Sequence, residues 1–125
     1  MKSQRVLRFG EQIQKEVSAL LVKGVKDPRI DFVTITSVDV TKDLRIAKVY
    51  FTVMGSKEQI EGAGNALKKA VPFFRRELGK RMRVRHVPEL TFLYDTSLEY
   101  GNRIESILSE INAGKTDDRI DTEED

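Results

Sequence analysis

Cysteine is absent from these 125 residues. That excludes disulfides, thiolate metal sites and cysteine nucleophiles, and it suits a reducing, cytoplasmic setting. No apolar run approaches the roughly eighteen residues that a membrane-spanning helix needs. The first residues carry charges through their apolar part and show no cleavage pattern, so they do not read as a signal peptide. Histidine occurs once, as His86, with no acid or hydroxyl cluster beside it to make a general acid–base pair. Asp39 and Asp43 bracket a turn, but no further acid stands in register, so they read as turn chemistry and no metal site is expected. Gly62-Ala63-Gly64 lacks both the third glycine and the following Lys-Ser/Thr pair of a phosphate loop. With no nucleophile–base pair in view, the chain reads as a binding module that needs no cofactor and performs no catalysis.

What is abundant is positive charge in one place. Lys68 to His86 holds eight Lys and Arg against a single acid, Glu77, in a chain whose net charge is only +2. Such an excess is the footprint of a polyanion, most commonly RNA or DNA. The candidate contacts are Lys68, Lys69, Arg75, Arg76, Lys80, Arg81, Arg83 and Arg85. A solvated face explains isolated lysines but explains a run this one-sided poorly. Phe73 falls on the side of Arg76 and Lys80. It could stack on an unpaired base, or pack on the preceding helix across a kink; packing is favoured, because most large aromatics lie in cores.

The tail reverses the sign. Glu110 to Asp125 has seven acids and two bases, and the last dozen residues contain one large apolar residue, Ile120. Such a segment cannot bury enough surface to offset its ordering entropy. The expected division is a folded domain over 1–112 and a disordered acidic tail over 113–125.

Periodicity supplies the elements. Val6, Phe9, Ile13, Val17, Leu20 and Leu21 form one face of a helix from about Gln4, which Gly24 can end and Pro28 keeps from resuming. Phe32 to Val40 reads as a strand whose apolar phase changes near Ser37, so a bulge is expected there. Ile46 to Met54 is a second strand, with Ala47, Val49, Phe51 and Val53 on one side, and the short turn between the two predicts an antiparallel hairpin. Ser56 and Gln59 fit a capping box for the next helix. Pro72 must interrupt that helix, giving a kink at Ala70, Val71 and Pro72, and Pro72 suits the first position of the helix that follows, to about Met82. Leu90, Phe92 and Tyr94 alternate as a third strand. Thr96 to Glu99 fits a further capping box before a last helix to about Asn112. The fold class is therefore α+β, in the order α-β-β-α-kink-α-β-α, with a three-stranded sheet and the helices packed on one of its faces.

This order resembles the type II KH domain, an RNA-binding fold. The GXXG loop that marks ordinary KH domains is missing, and the kink at Ala70-Val71-Pro72 stands in its place. A KH-like fold with that substitution resembles the ribosome-binding factor A family of bacterial small-subunit assembly factors. Arg5-Val6, Val25-Lys26-Asp27-Pro28-Arg29, Asp43-Leu44, Ala47 to Tyr50, Leu78-Gly79, Arg83-Val84-Arg85, Pro88 to Phe92, and Asp95 with Ser97 all look like that family, in order, from about Met1 to Asn112. One departure stands out: the family's kink is typically Ala-x-Gly, and Pro72 here takes the glycine place without a backbone N–H to offer. The resemblance implies a monomer that binds free small ribosomal subunits and their rRNA, assists late maturation and small-subunit rRNA processing, and acts as a chaperone. The competing possibility is a protein-interaction module whose basic face meets an acidic protein; steep salt dependence with naked RNA separates the two.

Overall fold

A computed structural model describes residues 2–97. The first helix, α1, spans Gln4–Lys23. Its N-cap is Ser3, whose Oγ accepts from the Val6 amide at 3.3 Å. The spacing of Val6, Gly10, Ile13, Val17 and Leu20 turns one side of α1 inward, and all five are buried. Gly24 caps the helix in an ordinary right-handed conformation, φ −108°. No left-handed turn requires glycine at this position; the constraint on it is room for an aromatic ring.

After a 3-10 turn at Pro28–Ile30 come β1, Val33–Val40, and β2, Ile46–Val53. They pair antiparallel, with Ile35 opposite Phe51 and Ser37 opposite Tyr50. Thr36 is thus the extra residue of a bulge, next to the position that the phase change indicates. Every second residue of β2, from Ala47 through Val49 and Phe51 to Val53, is buried. The turn between the strands is locked by Asp43, whose Oδ1 accepts from the Thr41 hydroxyl at 2.7 Å and the Arg45 amide at 3.1 Å. Leu44 takes a left-handed φ of 62° within it. Phe32 lies outside β1 and is exposed.

Helix α2 is Lys57–Lys69, opened by the expected capping box of Ser56 and Gln59. Helix α3 is Val71–Met82. The break between them is one residue long. Ala70 ends α2, its amide reaching the carbonyls of Ala66 and Leu67 at 3.1 Å each, while its own carbonyl accepts from Phe74 at 3.0 Å. Val71 is already helical, so Pro72 occupies the second position of α3 and not the first. Its missing N–H falls among the first-turn groups that have no partner inside the helix. The last strand, β3, Glu89–Tyr94, pairs parallel with β2 and completes the order β1-β2-β3.

The helices cover one face. Ile35, Val40, Ala47, Val49, Phe51 and Leu90 meet Ile13, Val17, Leu20, Ala63, Leu67, Phe74 and Leu78 in a single core. The alternate residues Lys48 and Thr91 are exposed. Helix α1 also closes the outer edge of β1. Gln14 Nε2 donates to the Ile35 carbonyl at 3.2 Å, and Lys2 Nζ donates to the Val40 carbonyl. Between them, a Cβ on Gly10 would stand 3.0 Å from the Val38 carbonyl oxygen, so any larger residue would press on the strand backbone at this crossing. The expected last helix, the domain boundary at 112 and the acidic tail lie outside the described residues.

Candidate nucleic-acid interface

Helix α3 turns Phe74 and Leu78 into the core, with Met82 half-buried below them. Phe73 is half-buried. Its ring meets Phe74 edge-on, with centroids 5.8 Å apart, and rests on Gly24 at the end of α1. The ring therefore packs against the core at the end of α1. The Arg76 guanidinium stands 5.7 Å from the ring centroid, in cation–π range. A stacking base would have to displace that arginine.

The eight cations of the basic run have separate surroundings. Arg75 is a strap: its Nε donates to the Pro88 carbonyl at 3.1 Å and its Nη2 to the Val87 carbonyl at 2.8 Å. Lys80 lies 3.6 Å from Glu77. Arg81 reaches Glu16 of α1 at 3.4 Å and Glu77 at 4.0 Å. Glu77 and, from a distant part of the chain, Glu16 thus partly neutralise these two charges. Lys68 borders a groove between α2 and β3, together with Phe51, Ile60 and Phe92. Lys69 adds its field to Asp27, whose carboxyl is lowered to about 2, mainly by hydrogen bonds from Arg29. Arg83 ends α3 in a left-handed conformation, φ 52° and ψ 41°, with its side chain exposed.

Two clefts gather what remains. The smaller, about 450 Å³, is lined by Pro72 of the kink with Arg75, Arg76, Arg85, His86 and Val87. The larger, about 770 Å³, shares Arg75, Arg85, His86 and Val87 and adds Arg5, Phe9, Leu44 and Arg45. Arg75, Arg76 and Arg85 are thus brought together beside the kink. Lys68, Lys69, Phe73, Lys80, Arg81 and Arg83 do not line either cleft.

Arg5, Arg45 and His86 join the basic surface without having been singled out by the sequence. Arg5 lies in the first turn of α1 and Arg45 in the β1–β2 turn, each far along the chain from Arg85. Parallel pairing of β2 with β3 brings Arg45 in. The Glu89 amide donates to the Arg45 carbonyl at 2.8 Å, which sets the start of β2 beside the connection that carries Arg85 and His86. Among the described residues, Arg5, Arg45 and Arg85 form no ion pair, while Asp39 is held by Lys2. Also among the described residues, no cluster of three or more His, Cys, Asp or Glu could hold a metal ion, and no helix is long and apolar enough to cross a membrane.

Comparison with known proteins agrees with this architecture. A Geotalea daltonii protein named ribosome-binding factor A is 52% identical over 111 residues, which is 89% of this chain and 90% of that protein. The crystal structure of ribosome-binding factor A from Thermus thermophilus superposes with a TM-score of 0.63 at 27% identity, over 71% of this chain and 94% of that one. Thermus thermophilus ribosome-binding factor A coordinates fitted into a cryo-EM map of a 30S complex superpose with a TM-score of 0.62 at 26% identity, over 73% of this chain and 96% of that one. These structural neighbours share the KH-like, three-stranded α+β fold described above. The family model for ribosome-binding factor A matches residues 5–108, and the chain belongs to that family.

Proposed function

We propose that this protein is a non-catalytic ribosome assembly factor that binds the free small subunit, contacts its rRNA, and assists late maturation and rRNA processing while acting as a monomer in the cytoplasm. Its family and the 30S-bound relative support the partner. The observation that carries the RNA contact is the cleft beside the kink, where Arg75, Arg76 and Arg85 converge on Pro72. Cations held in a concave surface raise the local concentration of a polyanion and release its counterions on contact. Pro72 offers no amide to a phosphate, so in this chain the side chains carry the contact and the kink positions them. Lys68 and Arg83 add exposed charge on either side. Lys69 is exposed as well, while Lys80 and Arg81 are partly neutralised by Glu77 and Glu16.

The test is sedimentation with separated small subunits, large subunits and joined ribosomes. Co-migration with free small subunits, and much less with joined ribosomes, is expected. Equal binding to large subunits would reduce the basic surface to a nonspecific polycation. Binding that a rise in salt leaves unchanged would favour an acidic protein partner instead.

A further inference from the structure

Resting on the small-subunit reading above, we infer that the groove between α2 and β3 is a strand-addition site: it takes an extended segment of a small-subunit protein, which pairs with the outer edge of β3. The two edges of the sheet differ. Helix α1 covers that of β1 at Ile35, Val38 and Val40. The other edge strand is β3. Its register fixes which groups face outward. The amides of Glu89 and Asp95 donate to the carbonyls of Arg45 and Phe51, toward β2. By alternation, Leu90 and Phe92 turn their amides and carbonyls away from the sheet. Among the described residues, no partner reaches those groups of Leu90 and Phe92.

A groove of about 670 Å³ runs beside this edge. Ile60, Val71, Phe92 and Tyr94 line it, each half-buried. Gly64 of α2 lines it too. Glycine weakens a helix relative to alanine, so its place in mid-helix calls for a reason. Packing within the domain does not supply one. A Cβ on Gly64 would meet the Phe51 ring at 3.6 Å, an ordinary contact, and no other side chain within reach. What the missing side chain does is keep the groove deep. Main-chain pairing along an open edge gives an added strand its affinity, and a groove for its alternate side chains gives it specificity.

The rim favours a peptide over RNA. Glu61 and Lys68 both line the groove and both are exposed, about two turns apart on α2. Among the described residues, neither forms an ion pair. One acid offsets one base, so a phosphate chain gains no net attraction here, in contrast to the arginine clefts. A peptide carrying an acidic and a basic side chain matches both ends of the rim. The groove is also continuous with the arginine surface across the kink: Val71 lines the groove and Pro72 the smaller cleft. A single particle of RNA and protein can therefore fill both sides of the kink at once.

The experiment uses the full chain and purified free small subunits. Residue-resolved hydrogen exchange should show the amides of Leu90 and Phe92 slowed by about ten-fold or more in the complex, while those of Thr91 and Leu93, which face β2, change far less. Gly64→Leu fills the groove and should weaken subunit binding about ten-fold with the melting temperature kept. Asn65→Cys, the one cysteine in its chain, carries a benzophenone at the groove's rim and should crosslink to a segment of a small-subunit protein. Unchanged exchange at Leu90 and Phe92 overturns the strand-addition site, as does wild-type binding by folded Gly64→Leu. A crosslink to rRNA, or to residues 98–125 of the same chain, assigns the groove another occupant and overturns it too. Should Gly64→Leu not fold, exchange and crosslinking decide on the unfilled groove. In each of these cases the protein still co-sediments with small subunits; failure to co-sediment at all overturns the small-subunit reading and the strand-addition site together.

Discussion

The ring of Phe73 rests on Gly24. A Cβ at position 24 would stand 3.0 Å from Cζ of that ring and 3.3 Å from Cε2. The glycine that ends α1 thus seats the first aromatic of α3, and with it the arginine that covers the ring. Gly24→Val should destabilise the domain by about 1–3 kcal/mol through overpacking. Phe73→Leu should lose less stability in that background than in the wild type. A double-mutant cycle in denaturant melts checks this; additive losses would mean that the two residues do not bear on each other.

Arg76 and Lys80 are one turn apart on α3, yet of the two only Lys80 forms an ion pair among the described residues, with Glu77 at 3.6 Å. Arg76→Gln should flatten the salt dependence of RNA binding by about 0.7–0.9 units, one phosphate contact's worth. Lys80→Gln should leave the slope nearly unchanged. Titrations across a salt series measure both, and equal effects would return Lys80 to the contact surface.

Arg83 holds a left-handed conformation that costs an L-residue about 1–2 kcal/mol and that glycine adopts freely at helix ends. Arg83→Gly should therefore raise stability by about 1 kcal/mol while removing one exposed cation. A thermal melt paired with subunit binding is the check. A fall in melting temperature would show that the arginine side chain stabilises the end of α3.

Asp27 gives an acid-side prediction. Its carboxyl is lowered from the ordinary 3.8 to about 2, first by the Arg29 side chain and then by the Arg29 amide. A depressed carboxylate contributes stability that is complete above the unfolded pKa and is lost as pH falls through the folded one. The loss therefore lies between about pH 4 and pH 2. Asp27→Asn should flatten the stability profile in that window and nowhere else; identical acid melts for the two proteins would contradict the linkage.

Pro72→Gly should lower stability by about 1 kcal/mol, because glycine adds unfolded-state freedom that proline lacks. Subunit binding should stay within a few-fold, since the arginines around position 72 are unchanged. A large gain in binding would assign the restored amide a direct phosphate contact.

The elements are legible where one physical signal dominates. The stripe in α1 and the alternation in β2 each follow from burying one side, and the phase change in β1 has only a bulge as its explanation. The kink is legible through Pro72 and falls within Ala70 to Pro72, but it is narrower than expected, and Pro72 is the second residue of α3 instead of the first. The residue before a proline is the one expected to leave the helix, which points to Val71, whereas Ala70 alone turns the chain and Val71 begins α3. The site is legible as a charge excess and not as an arrangement. Glu16 lies 65 positions from Arg81, so no local count could pair them. Arg45 lines one cleft with Arg85 because β2 and β3 run parallel, a pairing that binary pattern does not announce. Arg75 reads as a free cation in sequence because its two partners are backbone carbonyls, which residue type does not reveal.

Helix α1 bears on self-association as well as on the core. The outward carbonyls of Ile35 and Val40 accept from Gln14 and Lys2, and Gly10 brings the helix backbone over Val38 between them. An uncovered strand edge is a template on which a second chain can grow, and this one is covered at Ile35, Val38 and Val40. Peeling α1 away would expose a ready-made growth front, so the seating of one helix guards the chain against fibre formation as well as against unfolding.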